Sequence, residues 1–317
     1  MKRICIILPY FGQWPPYLEL FLDGCRRNPI VNVLFLTDLK RPRNVPDNVF
    51  FQSMTIDEIN KSIRDRLGFD SRISHPYKLC DIKPAYGMIF REFIQDFDYW
   101  GYGDIDVVYG DLSKWLTSNT LSCDIISFRK KWLSGSLTLI RNSDSVNQLF
   151  LESPDVKRVF ESPDHFEFDE VSRCWFQIRT MPIEEISFPY DNFTRVVHDA
   201  SKKGRVRVRL GDYAKESIPS QEYLLINEGR LVDQNGTEYA YYHFITEKRK
   251  RYFYYPKWPK VPAKYVIDCT GFYTLEGFKH RKIAGILRKI RWMPLVFVDV
   301  LRRVKRKFST PRQELTL

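Results

Sequence analysis

Apolar positions come first in short unbroken runs and later in alternation. Residues 3–8 are almost wholly apolar, the mark of a strand buried on both faces. Pro9-Tyr10-Phe11-Gly12 turns the chain out of it, and helical spacing follows from Pro15 to about Arg26. Val31–Thr37 is a second buried run, and Val49–Ser53 is a third strand before a helix over Thr55–Arg66. This strand–helix–strand opening is what a nucleotide-binding α/β fold requires. It lacks GxGxxG, so a dinucleotide site is not expected.

Further along, residues 84–97 predict a helix and Tyr99–Ile105 a core strand. Cys123–Phe128 and Ser136–Ile140 predict strands, with a helix over 143–151. The stretch 156–215 is more broken, although Val206–Leu210 alternates as a half-exposed strand should. Tyr223–Asn227, Arg230–Asp233 and Tyr239–Phe244 predict short strands, and Asn235-Gly236 predicts a hairpin turn between the last two.

The chemistry concentrates where the Tyr99–Ile105 strand ends, at Gly103-Asp104-Ile105-Asp106. Alternation puts both carboxylates on one side and Ile105 on the other. Two carboxylates held so can coordinate Mn²⁺ or Mg²⁺, which would bridge a diphosphate and neutralise charge on the leaving group. A bare DxD triplet can also be a surface turn. Here it lies in an apolar, glycine-bearing run, where unpaired charge is costly. Asp111 could orient a ligand or start the next helix.

Three segments carry a resemblance: Pro9-Tyr10-Phe11-Gly12, Tyr77-Lys78-Leu79-Cys80-Asp81-Ile82-Lys83-Pro84-Ala85, and Trp100-Gly101-Tyr102-Gly103-Asp104-Ile105-Asp106-Val107-Val108-Tyr109-Gly110-Asp111. Together they resemble a family of bacterial glycosyltransferases from capsule and O-antigen clusters, formerly catalogued as a domain of unknown function. The likeness covers about residues 3–250. It implies a GT-A-like fold, a central mixed sheet flanked by helices, with a UDP-sugar as the foremost donor. It also implies a cytoplasmic site at the inner membrane face, meeting a lipid-linked glycan acceptor. The expected layout is a glycosyltransferase domain over 1–255, with a donor half at about 1–115 and an acceptor half at about 116–255. A basic C-terminal extension takes 256–317. The expected activity is transfer of a hexosyl residue to a lipid-linked surface polysaccharide intermediate.

Other site candidates follow. His243, in Tyr241-Tyr242-His243-Phe244, resembles the late histidine that supplies a third metal ligand in GT-A enzymes, beside Asp104 and Asp106. An ordinary strand-end histidine is the alternative, and His198-Asp199 is the competing pair. Asp169 and Glu170, in an acidic stretch over 164–170, are candidates for the base that takes the acceptor proton. The same acids could instead decorate a helix N-terminus. Lys78, Lys83 and Arg91 are candidates for phosphate contacts, Asp81 for a base or ribose, and Tyr10 and Phe11 for stacking on a uracil-like ring. Trp132–Ser136 borders the expected acceptor cleft, with Gly135 permitting close backbone approach.

Charge changes the picture at the C-terminus. The 317 residues carry 50 Lys and Arg against 39 Asp and Glu, a net charge of +11, which favours an anionic partner. Residues 279–308 hold 11 Lys or Arg and one acid, interleaved with apolar residues and broken at Pro294. A basic amphipathic helical tail on an anionic membrane is the expected use, against a solvated cap or a nucleic-acid contact. No zinc-finger spacing or RNA module supports the last. No apolar stretch reaches the roughly 18 residues of a membrane span. The apolar run at the start is too short for a signal peptide. Six scattered cysteines without a CxxC pair suit buried reduced thiols in a cytosolic protein. Two other classes remain in competition: a metal-dependent nucleotidyltransferase or phosphodiesterase, and a non-enzymatic basic adaptor for membrane or nucleic acid.

Overall fold

The computed structural model describes residues 2–281. The chain starts β1 (Ile4–Pro9), α1 (Leu18–Arg26), β2 (Val31–Thr37), β3 (Val49–Ser53) and α2 (Ile56–Leu67). Short helices α3 (Leu79–Ile82) and α4 (Tyr86–Ile89) lead to β4 (Tyr99–Gly103) and β5 (Val107–Tyr109). Next come β6 (Ile125–Ser127), β7 (Leu137–Arg141), α5 (Asp144–Asn147), α6 (Val156–Glu161), α7 (Trp175–Thr180) and α8 (Phe193–Lys202). The last part holds β8 (Val208–Leu210), β9 (Ala214–Lys215), β10 (Tyr223–Asn227), β11 (Arg230–Asp233) and β12 (Glu238–Tyr239). It ends with β13 (Tyr241–His243), β14 (Lys264–Asp268), β15 (Gly271–Tyr273) and α9 (Leu275–Lys279).

A seven-stranded mixed sheet in the order β3-β2-β1-β4-β7-β6-β8 forms the centre. Strands β3, β2, β1 and β4 run parallel, and β7 enters antiparallel beside β4. β1 is apolar throughout because both its faces are covered. Cys5 and Ile7 join the core under α2 and α4, and Ile4, Ile6 and Leu8 join the core under α1. The result is a mixed α/β fold with helices on both faces of its central sheet.

Two smaller sheets complete it. A five-stranded antiparallel sheet runs β12-β11-β10-β14-β15, and a three-stranded one runs β5-β13-β9. The Asn235-Gly236 turn joins β11 to β12, while Tyr241–His243 leaves that hairpin for the third sheet. Residues 256–281, grouped by the sequence with the basic extension, contribute β14 and β15 here. β14 pairs with β10 along five residues, so this segment is part of the folded body. The rest of the expected basic tail, 282–317, lies outside the described residues. Among the described residues no helix is long and apolar enough to cross a membrane.

Three expected elements differ. The helix over 84–97 is α4 flanked by single 3-10 turns. Gly87 packs directly on Trp100, and a Cβ there would lie 2.5 Å from the indole, so packing rather than helical continuity sets this path. The helix over 143–151 breaks between α5 and a 3-10 turn at Leu149–Glu152. The Tyr99–Ile105 strand ends at Gly103, two residues early, and releases the acidic triplet into a loop. No disulfide joins the six cysteines; Cys5, Cys25 and Cys174 are buried and the others half-buried.

Candidate active site

The order of the central sheet reverses at β1 and β4. From β1 the chain moves outward to β2 and β3, then returns to lay β4 on the other side. Ligands of open α/β sheets bind outside the carboxyl ends of the strands at such a reversal. A cleft of about 540 Å³ opens there. The end of β1 with the loop after it (Pro9, Tyr10, Phe11) and the loop after β4 (Asp104, Ile105, Asp106) line it together.

His243 reaches this place through strand pairing. β13 runs antiparallel to β5 with His243 opposite Val107, and the Phe244 N–H donates to the Asp106 carbonyl at 3.1 Å. The imidazole Nε2 lies 3.3 Å from Asp106 Oδ2 and 3.7 Å from Asp104 Oδ2. Ligand atoms of the three residues lie within 4.8 Å of one another, close enough to hold a metal ion. Burial opposes the charge on Asp106, but His243 and Lys248 hold its carboxyl well below the usual range. Both His243 ring nitrogens are buried without a hydrogen bond. An unsatisfied buried polar group costs about 1–3 kcal/mol. A cation facing Nε2 would remove that cost, so the donor set fits a divalent ion with oxygen and imidazole preference.

A second group, Asp81, His165 and Asp169, meets the same distance criterion. Its carboxylates are already engaged, although His165 Nε2 is buried without a hydrogen bond. Asp81 is fully buried, pairs with Lys78 at 2.8 Å, and accepts from the backbone N–H groups of Phe166 and Phe168. Lys78 spends its other protons on the carbonyls of Val159 and Asp164, both at 2.6 Å. Burial lowers the Lys78 ammonium from its ordinary value, against the pull of Asp81. The expected donor contacts at Lys78 and Asp81 are therefore corrected. Neither lines the cleft, and together they tether the acidic loop that does.

That loop brings Asp169 and Glu170 to the cleft floor. Lys83 links this loop to the one after β4, 2.9 Å from Asp104 Oδ1, 3.4 Å from Asp169 Oδ2, and bonded to the Gly135 carbonyl at 2.9 Å. Burial opposes the charge on Lys83, but Asp104 and Asp169 hold its ammonium well above the ordinary value. One lysine faces more carboxylates than it can neutralise. Burial accordingly raises Asp169, and raises Glu170 to about 7, so a proton stays on this pair near neutrality. The Gly135 N–H donates to Glu170 Oε1 at 2.7 Å. A Cβ on Gly135 would lie 2.7 Å from Asp169 Oδ2, so the close approach requires glycine. Glu167, Ser172 and Arg173 adopt φ of 57°, 51° and 65°. Left-handed backbone at three non-glycine residues costs energy and gathers where geometry matters.

The walls are aromatic and basic. Tyr10 stacks on Trp14 at 5.2 Å, and Phe11 is buried at the cleft edge. Across the cleft the Trp175 indole N–H donates to Glu167 at 2.8 Å, which fixes the ring, and Arg179 stands beside it. Lys248 meets Asp106 at 2.5 Å while its side chain stays 32% exposed, and Arg249 also lines the cleft.

Tyr10, Phe11, Lys83, Asp104, Asp106, Asp169, Glu170 and His243 thus share one cleft. Arg91 lies elsewhere, exposed beside Asp144 at 3.5 Å. His198 pairs with Glu184 and Asp199 away from the cleft. Asp111 caps the turn at Leu112–Lys114. Sequence reasoning missed Glu216, Trp175, Arg179, Lys248 and Arg249. Only Lys248 carried a usable signal, a cation five residues after His243 in the basic run 248–251.

A family model described as "Family of unknown function (DUF6625)" matches residues 6–276. No curated protein matches the chain. Among solved structures, the galactosyltransferase LgtC with donor and acceptor sugar analogues is 12% identical with a TM-score of 0.31. The match covers 68% of this chain and 76% of that one. A glycosyltransferase involved in glycosylating the major capsid of PBCV-1 is 10% identical over 77% and 94%, with a TM-score of 0.34. Mouse xyloside xylosyltransferase 1 is 8% identical over 68% and 87%, with a TM-score of 0.35. Identities and scores this low say nothing about chemistry.

Proposed function

We propose, from the premise that the chain belongs to this family of unknown function, that it is a metal-dependent glycosyltransferase using a nucleoside-diphosphate sugar, foremost a UDP-sugar. One observation carries the reading: Asp104, Asp106 and the orphaned His243 meet at the strand-order reversal, in a cleft large enough for a nucleotide sugar. Asp104 Oδ2, Asp106 and His243 Nε2 would hold Mn²⁺ or Mg²⁺. Bound there, the ion would neutralise charge on the departing diphosphate.

The chain's own residues do the rest. Tyr10 and Phe11 sit at the donor wall, where a base ring can pack. Lys248, freed from Asp106, and Arg249 are placed to meet phosphate oxygens. Asp169 and Glu170 face the same space from the acceptor side. A Glu170 carboxyl raised to about 7 suits a group that takes the acceptor hydroxyl proton. The Trp175 ring, fixed by Glu167, offers an apolar face to a sugar of the acceptor. We take the acceptor to be a lipid-linked surface polysaccharide intermediate and the transferred unit to be a hexosyl residue. The basic tail would hold the enzyme on an anionic inner membrane face.

The test is calorimetric binding of UDP to the full chain with and without Mn²⁺, beside an Asp104→Ala/Asp106→Ala variant. Binding that needs both the ion and the carboxylates is expected. A folded protein that binds UDP equally well without Mn²⁺, or not at all, would sink the reading. Release of free UDP from UDP-sugars, rather than UMP or pyrophosphate, separates sugar transfer from nucleotidyl transfer.

A further inference from the structure

His243 has a carboxylate on each side, and only one side belongs to the metal group. Nε2 faces Asp104 and Asp106, while Nδ1 faces Glu216 Oε1 at 3.9 Å. Strand pairing creates this neighbour. β9 runs parallel to β13 with Ala214 beside Tyr241 and Lys215 beside Tyr242, so the next step in register sets Glu216 beside His243. Residues in register on paired strands project to the same face. Glu216 is held in turn by Arg129, a buried side chain just beyond β6 that forms an ion pair with its carboxylate. Arg129 has little freedom, for its guanidinium lies over the Trp132 ring at 5.4 Å and reaches the Ala214 carbonyl at 3.5 Å. Burying a guanidinium is expensive, and the Glu216 carboxylate compensates it.

We infer that Arg129 and Glu216 are positioning residues for the metal site: Glu216 accepts the Nδ1 proton of His243 and so turns Nε2, unprotonated, toward the ion. The inference rests on the metal reading above and adds to it the part that orients the ligand. A metal-bound histidine ordinarily donates its other ring N–H to a carboxylate or carbonyl, which fixes tautomer and ring angle. No other carboxylate lies within 4.0 Å of Nδ1 among the described residues. Glu216 is not a fourth ligand in this arrangement, because it falls outside the group whose ligand atoms lie within 4.8 Å of one another. A separation of 3.9 Å is too long for a hydrogen bond, and both ring nitrogens are unpaired. A small rotation of either side chain closes it when a cation draws Nε2 forward.

The experiment is calorimetric titration of the full chain with MnCl₂ alone, for wild type, Glu216→Ala, Glu216→Asp, Arg129→Met and His243→Ala. Melting of each metal-free protein is followed in parallel. Glu216→Ala should weaken Mn²⁺ binding by about 10- to 100-fold. It also leaves the buried Arg129 without its counter-charge, so the metal-free melting temperature should fall, and binding is compared at a temperature where each metal-free protein is folded. Glu216→Asp, which keeps the carboxylate, should recover part of the affinity, and Arg129→Met should lose less than Glu216→Ala. Glu216→Ala binding Mn²⁺ like wild type, with His243→Ala not binding, would overturn the positioning role and leave the metal site intact. Wild type that binds no Mn²⁺, or His243→Ala that binds it unchanged, would instead overturn the metal reading itself. Should Arg129→Met fail to fold, the Glu216 pair of variants still decides.

Discussion

The two acidic clusters of this molecule use the same residue types, two aspartates and a histidine, in different surroundings. In Asp81/His165/Asp169 each carboxylate faces an ammonium that cannot leave, since Lys78 is 2% exposed and Lys83 5% exposed. Backbone N–H groups fill the remaining lone pairs of Asp81. In Asp104/Asp106/His243 both ring nitrogens of the imidazole are buried without a hydrogen bond, as Nε2 of His165 is in the other cluster, but Lys83 takes only Oδ1 of Asp104. The cation on Asp106 belongs to Lys248, whose partly exposed side chain can swing away. A residue list cannot separate such groups. The cations on their carboxylates can: those of the closed cluster are buried ammoniums, whereas the one on Asp106 is partly exposed and displaceable.

The sharpest way to break this contrast is to remove one member of the closed cluster. Asp81→Ala leaves the Lys78 ammonium buried without its counter-charge and releases the loop that carries Asp169 and Glu170. Breaking a buried pair this way costs about 3–5 kcal/mol. Urea unfolding should show that loss, and a midpoint within error of wild type would mean that Lys78–Asp81 does not tether the loop. The open cluster should answer to ligand instead. Saturating Mn²⁺ at about 100 times its Kd should stabilise wild type by about 2.7 kcal/mol and leave Asp106→Ala unmoved. A folded Asp81→Asn protein should still respond to the ion, because its metal group is untouched.

Much of the open cluster was legible beforehand, and the reason is local. Asp104 and Asp106 announce themselves because two carboxylates interrupt an apolar run at a strand end. β1, β2 and β4 were readable because strands covered on both faces are continuous apolar segments. The closed cluster misled, since Lys78 and Asp81 have the composition of a phosphate and ribose site; their partners are the carbonyls and N–H groups of residues 159–168, whose positions no spacing gives. Glu216 was invisible for a similar reason: it is adjacent to His243 only through the pairing of β9 with β13. β14 and β15 were missed because the basic composition downstream drew residues 256–281 into the tail, while Tyr265, Val266 and Ile267 are in fact buried.

Protonation gives a smaller effect that sharpens the comparison. Burial raises Glu170 to about 7, above the roughly 4.5 of an exposed glutamate. Between these values the folded protein holds a proton that the unfolded chain has released. Stability therefore falls as pH rises through that window and flattens above about 7. The shift corresponds to at most about 3 kcal/mol, less where the carboxyl opens to the cleft. Glu170→Gln should remove most of this slope in melting curves taken from pH 5 to 8. An unchanged slope would place the proton elsewhere, with Asp169 the first alternative. On the proposed function, the basic form of Glu170 prevails above about 7, so sugar transfer should speed up with pH across the same range in wild type only.

The smallest effect tests whether the cation at the open cluster is displaceable. Lys248→Ala removes the ammonium at Asp106, a buried carboxylate that keeps the His243 imidazole beside it. The stability change should be smaller than that of Asp81→Ala, because the lysine end of this pair is partly exposed whereas Lys78 is buried. Its signature lies in the direction of two affinities. Mn²⁺ alone should bind a few-fold more tightly, because a competing cation has gone from its carboxylate. On the proposed function, UDP in the presence of Mn²⁺ should bind more weakly, because a cation that would meet the diphosphate has gone as well. A merely structural lysine would move both affinities together or neither. A large loss of stability in Lys248→Ala would show that the two clusters are closed in the same way, and the distinction drawn from their geometry would fail.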